Sequence, residues 1–165
     1  MDTHALHHYP ARAELSRWLV VGFLAGATAV VLFHQSALAV LHALQLARGA
    51  PFSFTPTKPF GVPVLWSLAF WGGVWGVILA AVLAPLDGAR LILASVIFGA
   101  IFPTLVAWFV VAPLKGQPIA AGWAPATMMV GPLVNAAWGL GTGIGLYLFG
   151  RNSVRRPRDR GSPDF

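Results

Sequence analysis

Residues 64–84 read VLWSLAFWGGVWGVILAAVLA, an unbroken run without a charge, bounded by Pro63 before it and by Pro85 and the Asp87-Gly88 turn signal after it. Roughly 20 apolar residues rising ~1.5 Å each cross a hydrocarbon core ~30 Å thick, so the stretch has the length and composition of a membrane span. Lipid offers the backbone no hydrogen-bond partner, which leaves only a helix or a closed barrel. Barrel strands alternate apolar and polar residues; this run does not alternate, so it predicts a helix.

The same pattern recurs on either side. No charge lies between Trp18 and Ala47, between Leu91 and Leu114, or between Gly116 and Gly150. Over the 165 residues only 10% are charged and 57% are hydrophobic, and the mean hydropathy is +0.72. A soluble domain carries far more charge. The expected fold is an all-α, polytopic transmembrane bundle of four helices, at about 17–46, 64–84, 90–111 and 131–150. A histidine-bearing tail (1–16) precedes this 17–150 domain, and a basic tail (151–165) follows it. Cleavage of the first helix as a leader is not expected. Its apolar pattern runs on past the small-residue motif Ala37-Leu38-Ala39 to Leu46.

The punctuation fits. Gly49 and Pro51 are expected to end helix 1, and Pro51, Pro56, Pro59 and Pro63 predict a stiff external loop. The short turn at Asp87 makes helices 2 and 3 antiparallel neighbours. Pro103 predicts a kink in helix 3, Pro113, Lys115 and Gly116 mark the end of that helix, and Pro132 suits the first turn of helix 4. Arg12, Arg17, Arg90 and the tail's Arg151, Arg155, Arg156, Arg158 and Arg160 make eight cations on one side. Arg48, Lys58 and Lys115 make three on the other. By the positive-inside rule both termini face the cytoplasm.

The formal charge of +6 does not indicate nucleic acid, because the cations flank apolar runs rather than line a soluble face. The chain has no cysteine, which removes disulfides, thiolate metal sites and thiol nucleophiles. No nucleotide loop, zinc-enzyme spacing or catalytic triad is present, so neither enzyme activity nor a cofactor is expected.

Placing Pro63 over Pro132 sets Gly72 and Gly76 over Gly141 and Gly145, and this reads as two tandem helix-loop-helix repeats. Glycines spaced for close helix contact are Gly22 and Gly26 in helix 1, Gly72 and Gly76 in helix 2, and Gly139, Gly141, Gly143 and Gly145 in helix 4. They can serve packing inside the bundle or a face for another subunit. Trp71 and Trp75 are expected to form a ridge beside the helix 2 glycines.

Ionisable groups inside a span are functional suspects, and His34 is the strongest of them here. It heads His34-Gln35-Ser36, with His42 two turns on; Asn135 and Thr104 are candidate polar partners. The group could relay protons, line a solute path, bind a quinone, or simply be a neutral histidine bonded to a neighbouring helix. His34 and His42, ~12 Å apart along one helix, cannot clamp one haem. His4, His7 and His8 could hold a metal ion but sit in the tail, and no metal site is assigned.

The stretches Leu32-Phe33-His34-Gln35 and Thr55-Pro56-Thr57-Lys58-Pro59-Phe60-Gly61-Val62-Pro63, continuing into Ser67-Leu68-Ala69-Phe70-Trp71-Gly72-Gly73, resemble a family of small bacterial inner-membrane proteins. The resemblance covers roughly residues 30–80. It implies a bacterial inner membrane and no assigned activity. The functional expectation is an accessory or oligomeric subunit of a membrane assembly, in contact with the lipid bilayer and with a protein partner or copies of itself. A small-solute or proton conduit through His34 is the alternative, and a haem or quinone site a more distant one.

Overall fold

The computed structural model describes residues 12–150. His4, His7, His8 and the arginines from Arg151 onward lie outside the described residues. Among the described residues four helices are long and apolar enough to cross a membrane. α1 comprises Arg12–Ala29, a widened π-helical turn at Val30–His34, and Gln35–Ala43. α2 is Val64–Leu83. α3 runs from Gly88–Val106 through a π-helical turn at Ala107–Val111 to Ala112–Leu114. α4 comprises Pro125–Met128, Val130–Gly145 and a π-helical turn at Leu146–Gly150. Among the described residues there is no strand, only an isolated bridge between Pro56 and Pro63.

Polarity is distributed as lipid demands. Phe70, Trp71, Leu93, Ile97 and Phe102 point outward, while Gln35, Ser95, Thr104 and Thr142 are buried. Every buried side-chain nitrogen or oxygen among the described residues has a hydrogen-bond partner, as a medium without water requires.

The helices pack as an up-down-up-down bundle in which α1 and α4 touch closely, as do the pairs α1/α2 and α3/α4. A Cβ on Gly22 would lie 2.7 Å from the Gly76 carbonyl oxygen, and one on Gly26 would strike the Gly72 carbonyl. Glycine here lets two backbones meet, so dispersion replaces the hydrophobic drive that lipid removes. In the second half Gly139 lies against the Ser95 carbonyl, Gly143 against the Ser95 side chain, and Gly99 against Asn135 and Gly139.

Several expectations are corrected. Of the two interfaces between the halves, α2–α3 is open, bridged by Trp75 and Phe98 with ring centroids 6.0 Å apart, and α4–α1 closes tightly. Two parallel repeats about a central axis would make these interfaces equivalent, so the tandem repeat is not confirmed. Gly141 and Gly145 also fail to match Gly72 and Gly76. They face Phe33 and Ala25 of α1, and it is Gly139 and Gly143 that meet the partner within their own half. Trp71 and Trp75 do not form one ridge. Trp71 faces outward beside Phe70, whereas Trp75 turns to α3.

Helix ends also shift. α1 stops at Ala43, short of Leu46, because Gln45 takes a left-handed conformation (φ 60°). The Leu46 amide then bonds the Leu41 carbonyl and the Gln45 amide bonds that of His42, the Schellman arrangement. Gly49, the expected stop, has nothing within 4 Å of its notional Cβ. α3 runs past the expected end at Val111 and takes in Pro113; Gly116 (φ 66°) ends it by the same pair of bonds, from Gln117 to Ala112 and from Gly116 to Pro113. α4 starts at Pro125 rather than near Pro132. Pro125 supplies the preorganised first position, leaving Pro132 within the helix. α3 runs on through Pro103 as helix, and its widened turn lies one turn later.

Candidate functional site

The candidate polar group lies where α1 widens. A π-helical turn holds one more residue than an α turn and so rotates the face presented by the residues after it. After Val30–His34 the next side chain, Gln35, is 2% exposed. Its Oε1 accepts the Phe52 amide at 2.7 Å, tying the loop between α1 and α2 back to α1 across 17 residues. Phe52 itself has φ 52°, a left-handed conformation held against its preference by that bond. The Gln35 amide nitrogen donates to His34 Nδ1 at 3.4 Å. Ser36 bonds back to the Leu32 carbonyl at 2.6 Å within its own helix. His42 Nδ1 donates to the Ala47 carbonyl at 3.0 Å, closing the end of α1.

Gln35, bonded in turn to His34, is therefore the anchor for a loop, His42 closes a helix end, and Ser36 serves only its own helix. The anchored loop in turn caps α2. The amides of Val64 and Leu65 have no helical acceptor, and the carbonyls of Thr55 and Ser53 receive them, each at 3.0 Å. Opposing close contacts, Gly26 with Gly72 and Gly22 with Gly76, set the antiparallel register. It places His34 level with Val64, at the end of α2 and away from its middle.

Asn135 and Thr104 form a separate pair. The Asn135 amide donates to the Thr104 hydroxyl at 2.9 Å, joining α4 to α3. The bonds that occupy His34 and Asn135 thus go to different partners, and the expected pairing of the two in one polar path is not what these bonds build.

Sequence reasoning passed over two features. Trp138, 2% exposed, reaches from α4 to the α1–α2 crossing and donates from Nε1 to the Gly26 carbonyl at 2.9 Å. It locks three helices at one point. Ser95 and Gly99 supply the small surface of α3, with the Ser95 hydroxyl folded onto the Leu91 carbonyl at 2.7 Å. Their four-residue spacing is the same small-residue signal, with serine standing for one glycine. Among the described residues no group of three or more His, Cys, Asp or Glu could hold a metal ion.

A scan of protein-family models, a search of curated proteins and a search of solved structures each found no match to this chain.

Proposed function

We propose that this chain is a non-enzymatic, multi-pass protein of a bacterial cytoplasmic membrane, with both termini cytoplasmic, acting as an accessory or oligomeric subunit of a membrane assembly. One observation carries the reading: the polar side chains of the spans are spent on the fold. Gln35 holds the outer loop, Asn135 holds Thr104, and Trp138 holds Gly26. A path for ions or solutes needs polar groups lining a continuous opening. Here the space beside the glycines is filled by backbone, by Phe33 or by Ala25. Since the glycine faces are consumed within the bundle, a partner would meet the outward aromatic face of α2, at Trp66, Phe70 and Trp71.

The orientation rests on the eight-to-three division of Lys and Arg. Proteoliposome flux measurements, paired with native mass spectrometry of the gently solubilised protein, test the function. The expected results are no proton or solute flux above empty vesicles, and more than one copy or a second polypeptide in the spectrum. A wild-type flux abolished by His34→Leu with folding intact would establish the conduit instead. A bare monomer would remove the subunit reading.

A further inference from the structure

The chain contains only two lysines, 57 positions apart, and the fold brings both to one place. Thr57, Lys58 and Pro59 from the first outer loop, with Leu114 and Lys115 from the end of α3, line one open cleft of about 550 Å³. Loop geometry holds it there. Thr57 donates its amide and hydroxyl to the Val62 carbonyl at 2.9 and 2.7 Å, and Gly61 (φ 68°) returns its amide to Thr57 at 2.7 Å. On the opposite wall Lys115 is fixed by the Schellman turn that closes α3.

Like charges gathered in one cleft repel, and proteins ordinarily offset this with a carboxylate. Neither loop that forms the cleft carries one. The acids of the chain are Asp2, Glu14, Asp87, Asp159 and Asp164, so both outer loops lack a single Asp or Glu. Both lysines are exposed, and the two loops that carry them offer no carboxylate, so an anionic ligand from outside these loops would complete the cleft.

We infer that this cleft binds the phosphate of an anionic glycerophospholipid in the adjoining leaflet. Lys58 and Lys115 hold the headgroup, and the apolar flank takes an acyl chain. Two features favour a lipid over free phosphate. Leu114 is the last residue of a span and is 82% exposed, and below it Val110 and Val111 continue an outward apolar strip along α3. Phe60, at the tip of the loop carrying Lys58, is 88% exposed. Such apolar surface beside paired cations suits an amphiphile at the headgroup boundary.

The test uses the full chain in nanodiscs containing phosphatidylglycerol and phosphatidylcholine, with retained lipid counted by native mass spectrometry. Wild type is expected to retain phosphatidylglycerol selectively. Lys58→Gln and Lys115→Gln are each expected to weaken retention roughly fivefold, and the double variant more than either. Lys115→Arg should restore it, and Arg48→Gln, a cation outside the cleft, should leave it unchanged. Selectivity surviving in the double variant, or lost equally in Arg48→Gln, would overturn the site. Millimolar inorganic phosphate binding the cleft in phosphatidylcholine discs, with phosphatidylglycerol no better retained, would overturn the lipid as its occupant. Melting of each variant in phosphatidylcholine alone controls for folding.

Discussion

Adding one methyl group at Gly26 tests how this bundle is held. The new Cβ would strike the Gly72 carbonyl oxygen and would sit 3.0 Å from the Gly76 Cα and 3.1 Å from the Gly72 carbonyl carbon. All three atoms are backbone, so no rotamer change can clear them; α2 must move by on the order of 1 Å to restore ordinary contact. Overpacking of this kind costs ~1–3 kcal/mol. The shift also disturbs the Trp138 bond to the Gly26 carbonyl, a term of ~0.5–1.5 kcal/mol. Gly26→Ala should therefore destabilise the bundle by about 2–4 kcal/mol. Gly49→Ala, with nothing within 4 Å of the new atom, should stay within about 0.5 kcal/mol. Gly141→Ala offers the sharper contrast, because the atoms it meets belong to the Phe33 ring. A double-mutant cycle of Gly141→Ala with Phe33→Ala should show coupling of at least ~1 kcal/mol. Gly26→Ala with Val30→Ala should show little. Reversible unfolding in bicelles by steric trapping measures each free energy. Gly26→Ala as harmless as Gly49→Ala, or rescued by trimming a side chain, would refute backbone contact as the basis of α1–α2 packing.

Two further substitutions probe the loops after α1 and α3. Gln35→Leu removes the acceptor of the Phe52 amide and should cost ~1–3 kcal/mol. Hydrogen exchange should then accelerate at Phe52 and at the Val64 and Leu65 amides capped by the same loop, and unchanged protection there would contradict the anchoring role. Ala121 sits at φ 54° in a left-handed turn with Ala120, Gly122 and Trp123. Ala121→Gly should relieve roughly 1 kcal/mol of backbone strain and raise the melting temperature in detergent, whereas Ala121→Val should lower it.

The spans were legible because their signal is local. The run 64–84 predicted α2 to within a residue of Val64–Leu83, since a lipid-facing helix writes its length directly into uncharged sequence. Glycine spacing likewise announced the contacts of Gly22, Gly26, Gly72 and Gly76. The features that stayed hidden depend on residues acting against preference or at a distance. Gln45 ends α1 in a conformation that glycine usually supplies, so the visible Gly49 drew the boundary too far. Pro132 looked like a helix start because proline suits that position, yet Pro125 suits it equally and takes it. His34, Gln35 and Ser36 stood out as polar residues in an apolar run. That Gln35 alone anchors a loop depends on the Phe52 amide folding back onto it, which no local pattern shows. The meeting of Lys58 with Lys115 is tertiary, with no trace in local pattern.

The central claim is that four helices cross the bilayer, so that the two outer loops share one side and the tails and the Asp87 turn share the other. A chain without cysteine permits a direct measurement: Thr55→Cys, Gln117→Cys, Ala89→Cys and Ser153→Cys, made singly and exposed in intact spheroplasts to a membrane-impermeant maleimide. Labelling is expected at positions 55 and 117 in intact spheroplasts, and at 89 and 153 only after lysis. Labelling of 55 and 153 from the same side would contradict it.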